Sequence, residues 1–292
     1  NINMNIALTG SSGLIGSLLA EDLKKMGHNI LCISSSQSSH ESNIFLYDEI
    51  LSENHLFQAD CLLHLASQNS DLMSSDIDKE VCISQKAIDC MMALDCKKII
   101  FFSSIKVYGD NSFEYRQIDE DSSLEPTCFY GTAKKKCEAA ISQLASQKDF
   151  NYTIFRLPPL LIDHPKSNLR KLFQLAQKGY PIPSFKAGDS NLRSFLPYKL
   201  LKQVIATVLG DTNKINNQIF NLTNSKPIST NALFALIGDK VGKKIKIVYL
   251  PNFIFNIMRR VTTLESLLCR LYGNFHISNA KLKQEFIIPD ED

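Results

Sequence analysis

The chain has 292 residues, of which 44% are hydrophobic and 21% are charged, and its formal net charge at pH 7 is +2. This length can bury a large core in one domain or in two unequal lobes, and the composition is that of a globular protein. The small net charge and the lack of a long basic run argue against nucleic acid as a partner. No apolar run reaches the length needed to span a bilayer, so we expect no membrane span.

The eight cysteines show no repeated short spacing, and several of them lie inside apolar segments. This pattern is typical of small buried side chains in a reducing compartment and not of a disulfide framework. It contains no cluster of Cys and His at metal-ligand spacing. We therefore expect a cytoplasmic protein without a metal site.

The first predicted element is a buried strand at residues 5–8, which a glycine-rich segment follows directly at residues 9–16. Apolar residues from Leu18 to Met26 then recur at helical spacing. A strand, a glycine turn and a helix in this order hold a pyrophosphate, because the helix N-terminus supplies free N–H groups and a partial positive charge. We expect Gly10 to make the tight turn, Gly13 to admit the phosphates and Gly16 to let the helix pack closely.

The rest of the first half alternates apolar strands with helical patterns. Strands are predicted at residues 29–33, 44–47, 61–66, 98–103 and 152–157, and helices at 79–94 and 130–147. Near-continuous apolar strands separated by helices imply a parallel sheet covered on both faces. The predicted fold class is therefore α/β, a Rossmann-type doubly wound sheet with its ligand at the carboxyl ends of the strands.

The elements become shorter and prolines more frequent after residue 158. We expect residues 1–160, with about 190–224, to form the dinucleotide-binding domain, and 218–223 to return one strand to its sheet. Residues of about 161–189 and 225–292 then form a smaller C-terminal α/β lobe for the substrate. In that lobe the apolar stretch 253–271, interrupted by charged residues, predicts an amphipathic helix, with contact to a membrane surface as a minor alternative.

Tyr130 and Lys134 stand four residues apart at the start of a predicted helix, so they share one face. Ser104 follows a predicted strand, at the edge of the sheet where a dinucleotide lies. Hydride transfer to or from a carbonyl carbon needs a matching proton at the oxygen, and a tyrosine phenol beside positive charge can supply it. We expect Tyr130 to move that proton, Ser104 to bind the substrate oxygen, and Lys134 also to hold the nicotinamide ribose.

Four segments in this order, at residues 9–16, 64–67, 103–109 and 130–134, resemble the extended short-chain dehydrogenase/reductases. More narrowly, they resemble the NAD-dependent epimerase/dehydratase family, which acts on nucleotide sugars. The resemblance implies that Ser104, Tyr130 and Lys134 are catalytic, that the C-terminal lobe holds the sugar nucleotide, and that the chain forms a homodimer. The expected cofactor contacts are Gly10, Ser12, Gly13, Leu14, Ile15, Gly16, Ser34, Ser35, Asp48, Leu65, Ala66, Tyr130 and Lys134.

Two positions bear on the reaction. The family's dehydratases carry Asp-Glu where this chain has Ile105 and Lys106, so the resemblance disfavours water elimination. Members that prefer NAD place an Asp at the end of the second strand to bind the ribose 2′-OH, whereas this chain has Ser34 and Ser35 there. Serines do not repel a 2′-phosphate, so we favour NADP(H) as the cofactor and keep NAD(H) open.

The segment 103–107 resembles the subgroup that reduces a UDP-4-keto-6-deoxy-N-acetylhexosamine at C4 in surface-polysaccharide synthesis, although that subgroup often has Asn where Tyr108 stands. The resemblance implies a UDP-sugar that contacts Ser104 and Lys106, with Asn168 and Arg193 on its diphosphate. The expected activity is C4 reduction with tyrosine as the proton donor. A UDP-sugar 4-epimerase that retains NAD is one alternative, and a non-catalytic dinucleotide-binding sensor is another.

Overall fold

A computed structural model describes residues 3–35, 44–52, 57–67, 72–211 and 215–286. Within these residues the structure centres on a parallel sheet of seven strands. These strands are β1 (Asn5–Thr9), β2 (Asn29–Ser34), β3 (Ile44–Leu46), β4 (Cys61–His64), β5 (Lys98–Ser104), β7 (Asn151–Leu157) and β11 (Gln218–Asn221). Their order across the sheet is β11-β7-β5-β4-β1-β2-β3, which confirms the predicted doubly wound parallel sheet.

Helices cover both faces of this sheet. One face packs against α1 (Leu14–Lys25) and α6 (Tyr198–Gly210), and the other against α2 (Tyr47–Ser52), α3 (Ile77–Ala93) and α4 (Phe129–Lys148). Every residue of β4 and β5 is buried, as expected for central parallel strands that have helices on both sides. The two apolar cores therefore fix the carboxyl ends of the strands, where ligands of such sheets bind.

The remaining elements are short. The helices are α5 (Arg170–Lys178), α7 (Thr230–Lys240), α8 (Asn252–Met258), α9 (Thr262–Tyr272) and α10 (Ala280–Glu285). The strands are β6 (Gln117–Ile118), β8 (Leu160–Leu161), β9 (Ile182–Ser184), β10 (Leu196–Pro197), β12 (Ile247–Tyr249) and β13 (His276–Ile277), which form the pairs β8-β10, β9-β12 and β6-β13. The pair β6-β13 places His276 and Ile277, in the second half of the chain, beside Gln117 and Ile118 in the first half.

The sequence predicted several of these elements correctly. The return of one strand to the main sheet is confirmed, since β11 pairs in parallel with β7. The division into a dinucleotide-binding domain and a substrate lobe stays a prediction, as does the homodimer. No helix in the described ranges is long and apolar enough to cross a membrane.

Two predicted element boundaries were wrong. The single amphipathic helix expected at 253–271 is two helices, α8 and α9, separated by a turn at Arg259 and Arg260 and by an extended Val261 (φ −102°, ψ 114°). The β-branched run from Val261 to Thr263 explains the break, because such side chains lose rotamer freedom in a continuous helix. Tyr47, predicted to end the third strand, instead begins α2 and buries its ring among helix residues.

Candidate active site

The glycine turn after β1 is packed too closely to hold larger side chains. Gly10 has φ +77°, and a Cβ atom there would lie 2.7 Å from the Ala66 nitrogen. A Cβ atom on Gly16 would lie 2.1 Å from the Gly10 carbonyl oxygen, so Gly16 lets the first turn of α1 close onto the glycine turn. Gly13 is the N-cap of α1 and provides no side-chain acceptor for the first N–H groups of the helix. The turn therefore fits the pyrophosphate of a dinucleotide, which those N–H groups can bind.

A buried polar chain fixes the segment after β4 beside this turn. The Thr9 hydroxyl oxygen accepts a hydrogen bond from the Ala66 N–H at 3.2 Å and lies 2.7 Å from Nδ1 of His64. The other ring nitrogen of His64 lies 3.0 Å from the Ser84 hydroxyl. Burial lowers the pKa of His64 to about 3, so the ring is neutral at physiological pH. His64 is 0% exposed and is the last residue of β4, so it is a buried strand residue.

The carboxyl ends of β1, β5 and β7 open into a cavity of about 500 Å³. The lining of this cavity includes most of the residues predicted for cofactor and substrate. They are Gly10, Gly13, Leu14, Ile15, Gly16, Leu65, Ser104, Lys106, Tyr130, Lys134, Asn168 and Arg193. The structure therefore brings the glycine turn, the three expected catalytic side chains and the expected diphosphate contacts to one continuous site.

Ser104 is the last residue of β5 and the N-cap of the 3-10 helix that follows it (Ile105–Tyr108). Its hydroxyl oxygen accepts a hydrogen bond from the Lys106 N–H at 3.2 Å. The start of α4 approaches this 3-10 helix closely at Gly131, where a Cβ atom would lie 2.3 Å from the Lys106 carbonyl oxygen. Sequence reasoning did not single out Gly131, yet the close approach that it permits brings the first turn of α4 toward Ser104.

Tyr130 and Lys134 lie one turn apart on α4, and the Lys134 ammonium is 5.7 Å from the centre of the Tyr130 ring. Lys134 is only 2% exposed. Its ammonium donates to the Phe102 carbonyl oxygen at 3.4 Å and lies 4.9 Å from the centre of the Phe101 ring. No carboxylate of the described residues lies within ion-pair distance of it, so its charge is available to the phenol and to a ligand.

A buried ion pair supports the same helix one turn further on. Arg156, on β7, donates to both carboxylate oxygens of Glu138, at 2.7 Å from Nη2 and 3.1 Å from Nε. Glu138 also accepts a 2.5 Å hydrogen bond from Ser103, and Arg156 donates to the Tyr108 hydroxyl at 2.8 Å. This network ties α4 to β5 and β7 behind the cavity. Tyr108, which departs from the resembled subgroup, thus has a structural contact of its own.

The cavity lining also contains the cation Arg193. The Arg193 backbone pairs with Ile228 and Phe275, and its guanidinium lies 5.1 Å from the centre of the Phe195 ring. Burial lowers the pKa of Arg193 to about 10, so the side chain remains charged at neutral pH. Its hydrogen bond is to the Leu271 carbonyl oxygen at 3.4 Å, and no carboxylate in the described part of the chain pairs with it. A partly desolvated cation of this kind favours an anionic ligand.

Two further cations line the cavity. One is Arg270, on α9, within the stretch whose apolar pattern predicted only an amphipathic helix. Lys106 also lines the cavity and forms an ion pair with Asp110. Burial alone would raise the pKa of Asp110, but its hydrogen bonds from Lys106 and Thr127 hold that pKa below its usual value. Lys106 therefore contributes less net charge to the cavity than the two arginines do.

The family follows from a comparison with known sequences. The sequence model of the NAD dependent epimerase/dehydratase family matches residues 6–222 of this chain. The chain belongs to that family. A UDP-glucose 4-epimerase of Vibrio cholerae is 23% identical over 295 residues, which cover 96% of this chain and 89% of that protein.

Solved structures of epimerases share the fold. The UDP-N-acetylglucosamine 4-epimerase of Bacillus cereus has a TM-score of 0.77 at 17% identity, with 99% of this chain and 95% of that chain covered. The UDP-glucose 4-epimerase of Thermus thermophilus, in complex with NAD, has a TM-score of 0.67 at 15% identity, with 96% and 92% covered. Both likenesses establish the Rossmann-type fold of the epimerase/dehydratase family for this chain.

The remaining predicted cofactor residues of this family member lie outside the cavity lining. Ser34 ends β2 and Ser35 follows it, while the rest of the serine run, at 36–39, lies outside the described residues. Asp48 lies in the first turn of α2, with its side chain 84% exposed and 3.6 Å from the Lys86 ammonium. The Ser12 carbonyl oxygen accepts a hydrogen bond from Lys166, which joins the glycine turn to the second half of the chain. Ala66, which lies beyond the end of β4, is the fifth predicted cofactor residue outside the lining. The roles of these five residues stay predictions, as do the roles of the residues that line the cavity.

Proposed function

We propose that this protein transfers a hydride between a nicotinamide dinucleotide and C4 of a UDP-sugar. One observation carries the proposal. Tyr130 and the buried ammonium of Lys134 share a single cavity with a glycine turn suited to a pyrophosphate and with Arg193, which has no carboxylate partner among the described residues. Such a cavity can hold a dinucleotide and a second diphosphate with a reactive centre between them.

Residues of this chain can supply or accept the proton that must move at the sugar oxygen during hydride transfer. The bound nicotinamide supplies or accepts the hydride. Tyr130 gives a proton to the sugar oxygen, or takes one from it, according to the direction of reaction. Ser104 fixes that oxygen by a hydrogen bond from its hydroxyl. The Lys134 ammonium, held beside the phenol, stabilises negative charge on the phenol oxygen and can donate to a ribose hydroxyl.

A UDP-sugar as the substrate is supported by the cations that line the cavity and by the similarity of the chain to known epimerases. Arg193 presents a planar fork suited to phosphate oxygens, and Arg270 adds a second cation to the cavity lining. Asn168 also lines the cavity and can donate to a diphosphate oxygen. Several relatives of this chain are described as UDP-glucose 4-epimerases. These observations support a UDP-sugar as the second ligand of the cavity.

The favoured reaction within this class is net reduction of a UDP-4-keto-(6-deoxy)-hexosamine with NADPH, in surface-polysaccharide synthesis. It is supported by Ser34 and Ser35 at the end of β2, because neither would repel a 2′-phosphate. A second candidate is 4-epimerisation with a retained NAD. It is favoured by the descriptions of the relatives and by the NAD bound in a similar structure. Both candidates use the same residues and the same hydride transfer.

The dinucleotide that remains bound through purification separates the two candidates. The protein is denatured, and the released nucleotide is identified by mass spectrometry. Incubation of the native protein with NADPH and a UDP-4-keto-6-deoxy-hexosamine should then oxidise NADPH stoichiometrically. Bound NAD, together with interconversion of UDP-hexoses without added cofactor, would assign the epimerase instead. No turnover of either substrate class would contradict the proposed function.

A further inference from the structure

Exposed apolar side chains are concentrated in one short part of the chain. Of the fourteen large hydrophobic side chains exposed in the described ranges, seven lie between residues 248 and 271. They are Val248, Tyr249, Phe253, Ile257, Val261, Leu267 and Leu271. Single exposed hydrophobics are ordinary, but such a concentration marks an interaction surface.

The helices α8 and α9 carry four of these residues on their exposed faces. On α8, Phe253 and Ile257 lie four residues apart and are 63% and 57% exposed, whereas Phe255 is buried. On α9, Leu267 and Leu271 are likewise four apart and are 45% and 40% exposed, whereas Leu268 is buried. Residues four apart share a helix face. Each helix therefore buries one apolar face and exposes another, and we call the exposed faces, with Val261 between them, the α8–α9 surface.

The buried faces of these helices form a real core. Phe255, Leu268 and Tyr272 pack with Phe185 in one apolar cluster, in which the Phe185 and Phe255 ring centres are 5.0 Å apart. The exposed apolar side chains of α8 and α9 are therefore not part of this core, which is formed by other residues.

The same part of the chain is strongly basic. Residues 240–272 contain seven Lys and Arg and one acidic residue, a net charge of +6 in a chain whose total is +2, so the rest of the sequence carries −4. Lys243, Lys244 and Arg260 are all exposed. Arg259 lies 4.3 Å from the centre of the Phe113 ring and 3.9 Å from the one acidic group, Glu265.

We propose that the α8–α9 surface docks on an anionic lipid membrane. Apolar side chains on short helices enter the headgroup region, and lysines and arginines in the same part of the chain are attracted to acidic lipids. A second copy of this chain fits the surface less well, because a symmetric contact would bring two clusters of like charge together. Arg270 belongs to α9 and lines the cavity, so docking would bring that end of the cavity to the bilayer surface.

Vesicle flotation tests this proposal without any assay of activity, so its result is independent of the proposed function. The full chain is mixed with vesicles of phosphatidylcholine and phosphatidylglycerol in equal parts, or of phosphatidylcholine alone. We expect binding to the acidic vesicles to be about tenfold or more tighter than to the neutral ones, and to weaken as salt is raised. No binding to the acidic vesicles, or equal binding to both, would overturn the proposal.

Three variants locate the contact. Phe253→Ser with Ile257→Ser removes apolar surface, and Lys243→Gln with Lys244→Gln and Arg260→Gln removes charge. Each set should weaken binding to acidic vesicles about tenfold. Leu175→Ser, at a leucine on α5 that is 45% exposed, is the control and should bind like the wild type. Unchanged binding in both sets overturns the proposal. An equal loss of vesicle binding in Leu175→Ser also overturns it. A third contrary result is a wild-type protein that binds no vesicles but forms a dimer in sedimentation equilibrium, when Phe253→Ser with Ile257→Ser makes that dimer dissociate.

Discussion

Glu138 and Arg156 form a buried bidentate ion pair. Ser103, which lines the cavity, donates a hydrogen bond to the Glu138 carboxylate. Tyr130, Lys134 and Glu138 follow one another at intervals of four residues on α4, so the pair anchors the same helix face that carries the two expected catalytic side chains. Ser103 and Arg156 are register partners on β5 and β7. The position of the catalytic helix is therefore fixed by a polar contact to two central strands.

Glu138→Ala should destabilise the protein by about 3–5 kcal/mol, because it leaves the buried guanidinium of Arg156 without its carboxylate. Denaturant unfolding followed by circular dichroism measures the free energy of unfolding. Glu21→Ala is the control, since it breaks an exposed ion pair with Lys25 and should leave that free energy unchanged. Equal effects of the two substitutions would show that the buried pair does not support α4.

Gly16→Ala should weaken dinucleotide binding and destabilise the protein by about 1–3 kcal/mol, because the new methyl group would overlap the Gly10 carbonyl oxygen. Calorimetric titration with NAD and with NADP, together with thermal unfolding, measures both effects. Gly210→Ala is the matched control, because a Cβ atom at this helical glycine meets nothing within 4 Å. If Gly16→Ala bound the dinucleotide as well as the control did, the glycine turn would not be the pyrophosphate site.

The sequence predicted the parts of the site in which geometry follows from local spacing. Gly10 and Gly16 belong to one turn, and Tyr130 and Lys134 to one helical face, so their relations follow from the chain's own covalent geometry. Glu138 and Arg156 meet only because α4 packs against β7, a contact that no local pattern encodes. A signal was nevertheless present, since the charged Arg156 lies between the apolar residues Phe155 and Leu157 of a predicted buried strand.

Arg270 could not be assigned from sequence for a similar reason. It reaches the cavity because the turn and extended Val261 before α9 redirect the chain. The continuous apolar pattern hid that break, although the β-branched run beginning at Val261 indicated it.

The neutral His64 should make stability depend on pH in a defined window. Its pKa is about 3 in the folded protein and about 6.5 in the unfolded chain, so between these values only the unfolded chain binds the proton. The contribution of neutral His64 to the free energy of unfolding is fully present above about pH 6.5. It is lost as the pH falls, by up to about 1.4 kcal/mol per pH unit. Denaturant unfolding at several pH values between about 6 and about 5 gives the slope of the unfolding free energy against pH. His64→Asn should make that slope smaller. An identical slope in the variant would contradict the assignment.

Arg193→Met should weaken the binding of UDP about tenfold to a hundredfold, because it removes a desolvated charge-assisted contact to a diphosphate. Arg193→Lys should recover part of that loss, since it restores charge without the planar fork. Dinucleotide affinity serves as the internal control, because the proposal assigns the dinucleotide pyrophosphate to the glycine turn and not to Arg193. A loss of dinucleotide affinity equal to the loss for UDP would place Arg193 at a different subsite.

The most direct test of hydride transfer at this cavity is a single-turnover experiment with Tyr130→Phe. Enzyme loaded with the reduced dinucleotide is mixed rapidly with a UDP-4-keto-sugar, and the disappearance of reduced nicotinamide absorbance is followed. Wild type should oxidise the nicotinamide in one exponential phase. The variant should bind the dinucleotide equally well but react about a hundredfold to ten-thousandfold more slowly. Oxidation at the same rate in both proteins, or none in the wild type with both ligands bound, would contradict the account.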